Sequence, residues 1–187
     1  NTIKRIQNES IPHNLDKNIN IYENYAKKIK NRYETFDYDI FNNSCEIFKI
    51  LLNFFENYEK NNKGRKTIIH GDPVFSNIII NEFDKIKLID MRGMVGNDLT
   101  ICGDWLYDWS KIYQSLIGYD EILNNKKINI NYKNTMISIF ENYFIENFGQ
   151  ENIKNLKLIT NSLIFSLIPL HNNEKCVDYF NLINLVI

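Results

Sequence analysis

Four residues in one stretch have the types and the spacing to do chemistry together. His70-Gly71-Asp72 opens it, Asn77 follows Asp72 by 5 positions, and Asp90 follows Asn77 by 13. Two apolar, β-branched runs at 78–80 and 86–89 flank a polar turn at 81–85. That pattern predicts a β-hairpin. A hairpin whose turn lies near its middle returns to its starting level, so Asn77 and Asp90 are expected side by side, with Asp72 on the loop just before them. Two oxygen ligands beside a third carboxylate suit Mg2+ and a phosphate-bearing substrate. A lone Asp in a loop is usually a turn residue, and an Asn or Asp at a strand end is usually a cap. Together, at this spacing, they point to a site.

The spacing resembles that of the catalytic loop and metal-binding Asp of protein kinases. The His-Gly-Asp form is similar to that of the aminoglycoside phosphotransferase and choline kinase families. The resemblance runs on through Asp90-Met91-Arg92-Gly93 to Gly103-Asp104-Trp105-Leu106-Tyr107-Asp108. In that form it is most similar to the choline-kinase-like phosphotransferases associated with bacterial capsule and surface-polysaccharide genes. It is specific over about 68–119, loose upstream, and limited downstream to Pro169-Leu170-His171.

The resemblance implies an ATP- and Mg2+-dependent phosphotransferase acting on a small-molecule hydroxyl: an amino alcohol, a sugar or a surface-glycan precursor. It implies that Asp72 is the general base and that Asn77 and Asp90 hold the metal. His70 belongs to the same catalytic group, and supporting the loop suits it better than proton transfer. Asp108 is implied to accept hydrogen bonds from the loop backbone, and Asp104 is expected to cap the same helix. Arg92 has two readings of equal weight. Its planar, five-donor cation suits a substrate phosphate or carboxylate, or it pairs with Asp98 or Asp104. His171 is either at the substrate cleft or, as a lone His after a helix more often is, structural.

The elements that must position these residues are mostly helical. Residues 1–17 are polar, carry Pro12, and read as loop or linker. A helix over 21–33 places Tyr22, Tyr25, Ala26, Ile29 and Tyr33 on one face. Lys27, Lys28, Lys30 and Arg32 form its other face, read first as solvated and second as a contact for an anionic substrate. After a break at 37–43, Ser44 starts a helix that runs to Lys60, and Gly64 follows its end. A strand at 66–69 leads into the loop and hairpin, and 91–102 reads as loop. The 104–116 helix directs Leu106, Trp109, Ile112, Tyr113 and Leu116 inward, so Trp105 and Trp109 are both expected to be buried. A short extended segment at 126–132 and helices at 134–148, 151–168 and 173–187 complete the chain, with Pro169 separating the last two. The expectation is a mostly α body with a small β-hairpin. In kinase terms, 18–187 is the larger, C-terminal lobe and 68–90 carries the loop and metal hairpin.

Composition sets outer bounds. The chain has 187 residues, 44% hydrophobic and 13% aromatic, enough for one domain with a real core. With 22 basic and 23 acidic residues the net charge is −1, which argues against a general nucleic-acid or anionic-membrane surface. Charged or Asn residues interrupt every apolar run long enough to approach a membrane span. Cys45, Cys102 and Cys176 are widely spaced, form no metal knuckle or disulfide framework, and fit reduced cytoplasmic thiols. No apolar signal core marks the chain for export, so a cytoplasmic location is expected. One part of a kinase is missing. Ahead of His70, Gly64 is the lone glycine and no strand-borne Lys is identifiable, so no nucleotide-binding lobe is expected in this chain. It is expected upstream in a longer protein or from a partner. The rival reading is a non-catalytic binding or scaffold domain that keeps the fold.

Overall fold

In the computed structural model, which describes residues 2–13, 18–171 and 173–185, the chain is mostly helical with small antiparallel sheets. Two helices form the centre, α4 (Trp105–Leu116) and α7 (Glu151–Leu167). Each buries residues around most of its circumference, as a helix in the middle of a layered body must. Their polar residues are small enough to let the backbones approach, and they bond across the gap. Thr160 Oγ1 donates to the Ser110 carbonyl at 3.2 Å and to Leu156 O, in its own helix, at 2.9 Å. Trp105 and Trp109 are both buried, as the helical spacing predicts.

On one side, α2 (Ala26–Thr35) and α3 (Ser44–Lys60) pack through aromatic pairs. Tyr33 stacks on Phe48 at 4.1 Å and Tyr25, at the start of α2, stacks on Phe55 at 4.6 Å. On another, α6 (Ile130–Phe148) brings Phe144 and Phe148 against the two tryptophans. The short α5 (Tyr119–Leu123) meets α8 (Asn173–Phe180) through Tyr119 on Tyr179. Among the described residues, no helix is long and apolar enough to cross a membrane.

The strands frame the loop that carries the site. β1 (Lys66–Ile68) enters it, and β2 (Ile78–Ile80) and β3 (Ile86–Leu88) leave it as the antiparallel hairpin, with Ile78 opposite Leu88. The turn is held by Asn81, whose Oδ1 accepts the Phe83 and Lys85 N–H groups at 3.0 and 2.9 Å. β1 pairs with β6 (Cys102–Asp104), a strand from beyond the hairpin, and this pairing ties the loop's entry to the start of α4.

Several local expectations are corrected. Residues 2–7 are a helix, α1 (Thr2–Gln7), where the sequence suggests loop or linker. Ile3 and Gln7 lie four residues apart on one face and are buried. The Gln7 side chain donates to Trp105 O at 2.6 Å and accepts from Trp109 Nε1 at 3.1 Å, so the segment belongs to the core. Residues 14–17 of the expected linker lie outside the described residues. The 21–33 helix starts later, at Ala26, after a turn. The 91–102 loop holds a small ladder, β4 (Met94–Val95) against β5 (Asp98–Leu99), before β6 begins. No strand forms at 126–132; Asn129 accepts the Tyr132 N–H at 3.1 Å and starts α6 there. The last helix ends at Phe180, and 186–187 lie outside the described residues.

Candidate functional site

The site begins with how the loop 69–77 is held. Asp108, on the first turn of α4, is fully buried, and its carboxylate faces the loop backbone. Oδ2 accepts the His70 N–H and Oδ1 accepts the Gly71 N–H, both at 2.8 Å and from 38 and 37 residues away. Burial pushes the Asp108 carboxyl up to about 6, against the pull of these two donors. A carboxylate placed in the core solely to receive two loop N–H groups fixes that loop's conformation.

His70 is buried and serves the same end. Its carbonyl accepts the Arg92 N–H at 3.0 Å, and its Nδ1 accepts the Asp72 N–H at 3.3 Å, which puts the ring proton on Nε2. Gly71 has φ +83, and a Cβ there would stand 2.8 Å from the Arg92 Cβ. Glycine is therefore required twice, for the backbone angle and for the passage of Arg92.

Asp72 follows, half-exposed, with its carboxylate 3.0 Å from Lys111 Nζ. Asn77 turns back to it: Nδ2 donates to the Asp72 carbonyl at 2.9 Å, leaving the amide oxygen free. In the hairpin register Ile89 lies opposite Asn77, and its N–H reaches the Asn77 carbonyl at 3.0 Å. Asp90 is the next residue, exposed, with φ +56. Asp tolerates this left-handed conformation better than most side chains, and it turns the chain out of the strand. Asn77 and Asp90 thus lie at the same end of the hairpin, one residue out of register. An amide oxygen and a carboxylate are hard donors of the kind Mg2+ takes, with water and phosphate filling its other positions. Among the described residues, no group of three or more His, Cys, Asp and Glu side chains could hold a metal by itself.

Arg92 pairs with neither Asp98 nor Asp104. Its Nη1 donates to the Tyr107 hydroxyl at 3.0 Å. Asp104 is unavailable because it is buried under Tyr25 Oη at 2.7 Å, Tyr58 Oη at 3.0 Å and the Arg65 N–H at 3.1 Å. Burial raises the Asp104 carboxyl, with these donors opposing. It stands at the N-cap position of α4, as expected, although its side chain makes no close capping hydrogen bond there and its oxygens are engaged mainly by those three groups. His171 packs tilted against Tyr179, ring centroids 4.6 Å apart, and Tyr179 stacks in turn on Tyr119 at 5.6 Å. Burial and then Lys175 lower the His171 pKa. A cavity of about 650 Å3 lined by Ile122, Lys126, Ile128, Asp178 and Leu182 contains none of the candidate residues.

No family model, curated protein or solved structure matches this chain.

Three further residues stand at the site: Lys28, which the sequence places on a basic face with anion contact as its second reading, and Tyr107 and Lys111, to which the sequence assigns no role. Tyr107 is buried with its hydroxyl on Arg92. Lys111 lies three residues beyond Asp108, on the same face of α4, and helical periodicity alone would have found it. Lys28 lies three residues beyond Tyr25, whose ring sits 6.1 Å from that of Tyr107. Its neighbours on the basic face turn elsewhere, with Lys27 pairing to Glu23 and Lys30 to Glu56.

Proposed function

We propose that this chain is the catalytic, acceptor-side lobe of an ATP- and Mg2+-dependent phosphotransferase. It acts on the hydroxyl of a small molecule such as an amino alcohol, a sugar or a surface-glycan precursor. On this reading the fold is the larger lobe of a kinase-like architecture, related to the aminoglycoside phosphotransferase and choline-kinase-like proteins. The observation that carries the reading is the double hydrogen bond from His70 and Gly71 to Asp108. It holds Asp72 and Asn77 in fixed relation at the foot of the hairpin that ends in Asp90.

Asp72 takes the proton of the acceptor hydroxyl as that oxygen bonds to the γ-phosphorus, and the bond to the departing ADP oxygen breaks. Lys111 holds the carboxylate in place, and His70 and Asp108 hold the backbone beneath it. Asn77 Oδ1 and Asp90 would hold Mg2+, which neutralises charge on the donor phosphates. The described residues ahead of His70 form three helices and β1, none of them a cover for phosphates. The nucleotide lobe is supplied upstream in the native chain or by a partner. Support comes from the hairpin, which leaves Ile79, Ile80, Phe83 and Ile86 exposed, an apolar surface that a covering lobe or an adenine would bury. ATP as the donor places the activity in the cytoplasm.

One observation favours the rival, a non-catalytic binding domain: Asp72 is in an ion pair with Lys111. Mn2+ with tripolyphosphate, added to the 15N-labelled chain, separates the two. A catalytic lobe gives selective broadening of the amide signals of Asp72, Asn77 and Asp90. A scaffold gives none there.

A further inference from the structure

Three cations from three separate elements act on the surroundings of Asp72 and the buried Tyr107: Arg92 by a hydrogen bond to the hydroxyl, Lys111 by its pair with Asp72, and Lys28 through its charge. Arg92, from the segment after the hairpin, bonds the Tyr107 hydroxyl at 3.0 Å. Lys111, from α4, is 16% exposed and lies 3.0 Å from Asp72 Oδ1. Lys28, from α2, is half-buried on the face whose Tyr25 ring meets Tyr107. The opposing charges are few. Asp72 is taken by Lys111, and both oxygens of Asp108 are taken by backbone N–H groups. Neither Lys28 nor Arg92 is in ion-pair contact with a carboxylate among the described residues.

The local field is correspondingly positive. Burial would raise the Tyr107 hydroxyl, yet Lys28, Lys111 and Arg92 outweigh it and leave the group below a tyrosine's ordinary value. For Lys28, Tyr107 pulls upward, but burial and the neighbouring Lys111, Arg92 and Arg32 prevail and lower it. Partly buried like charges repel at a cost that grows as water is removed. A fold that gathers them around a single carboxylate already held by Lys111 leaves Lys28 and Arg92 matched to a further anion.

We infer that Lys28 and Arg92, with Lys111, form an anion subsite next to Asp72, and that the acceptor carries a phosphate or carboxylate on the same small molecule as its reactive hydroxyl. The acceptor role rests on the phosphotransferase reading; the anion site itself does not. A cationic amino alcohol would be repelled. Donor phosphates would meet positive charge at a metal held by Asn77 and Asp90 instead. The guanidinium, held in orientation by Tyr107, suits bidentate contact with a phosphate or carboxylate.

The test is calorimetric titration of the 187-residue chain without Mg2+ or nucleotide, using sn-glycerol 3-phosphate, glycerate, glycerol and choline. The expected result is binding of one or both anions and neither of the others. Comparing the two anions tells phosphate from carboxylate. Arg92→Ala and Lys28→Ala should each weaken anion binding about tenfold or more, the scale of a charge-assisted contact. Arg92→Lys should recover part of it, and circular dichroism checks that each variant is folded. Lys28→Ala changes only a helix side chain, so it tests the subsite even if Arg92→Ala unfolds. Absence of anion binding, equal binding of choline, or anion binding unchanged in both alanine variants would overturn the inference. So would binding that appears only with Mg2+ and disappears in Asp90→Asn, because the cations would then serve the donor. Anion binding by this chain, with no phosphoryl transfer to the bound anion once the nucleotide lobe is present, would leave the subsite standing and count against the phosphotransferase reading alone.

Discussion

Lys111 reaches from the middle of α4 to within 3.0 Å of the Asp72 carboxylate. The two ends of this pair differ in setting. Lys111 is largely enclosed, whereas the Asp72 side chain is 40% exposed. The lysine can therefore orient the carboxylate while leaving one side of it open to an incoming hydroxyl.

Asp72→Asn should leave folding and nucleotide affinity nearly unchanged in the protein with its nucleotide lobe present. Turnover should fall by about 10² or more, the usual scale of general-base catalysis. Steady-state assays beside thermal melts make the comparison. Equal turnover in variant and parent would remove Asp72 from the mechanism.

Asp108 gives a pH-dependent signature. Its carboxyl is raised from 3.8 to about 6 in the folded chain, chiefly by burial. The folded state therefore binds this proton more readily than the unfolded state. Its contribution to stability is fully present below about 3.8 and is lost as pH rises through about 6. Asp108→Asn removes that titration. The variant should compare worst with the parent near pH 4, and the gap in melting temperature should narrow between pH 4 and 7. A gap constant across that range would mean that Asp108 keeps its ordinary acidity.

Gln7→Ala tests the N-terminal helix. The change leaves the Trp109 indole N–H and one hydrogen bond to the Trp105 carbonyl without their partner in the core. Unmade buried hydrogen bonds cost about 1–3 kcal/mol each, so chemical denaturation should show a loss of at least that size. A loss below about 0.5 kcal/mol, the scale of ordinary surface changes, would return residues 2–7 to the status of a dispensable segment.

The legible parts of the fold were those written in local periodicity. The hairpin follows from two β-branched runs around Asn81, and α3, α4 and α7 follow from apolar residues at helical spacing. Where a single polar residue carries a tertiary bond, local pattern gives no sign of it. Gln7 reads as one more polar residue in a polar segment until Trp109 needs an acceptor. Asp104 reads as a helix cap because its neighbours in sequence are helical, yet Tyr25, Tyr58 and Arg65 reach it from far along the chain. The pairing of β1 with β6 was hidden for the same reason, since three residues in each strand carry too little pattern to announce a partner. At the site, the motif positions marked Asp72, Asn77 and Asp90. Lys28 is marked only as the second reading of its basic face and Tyr107 only as one residue of the motif. Lys111 goes unmarked although helical spacing puts it on the Asp108 face, and the meeting of the three from separate elements leaves no pattern to read.

The most direct measurement is 31P NMR of the protein, nucleotide lobe present, with MgATP and a panel of alcohols that includes phosphorylated and carboxylated ones. A phosphotransferase converts ATP to ADP with one new phosphate-ester resonance that requires the acceptor, and Asp90→Asn suppresses it at the same Mg2+ concentration. ATP left intact beside every acceptor, or orthophosphate appearing in place of an ester, would contradict the assignment of this chain as a catalytic lobe.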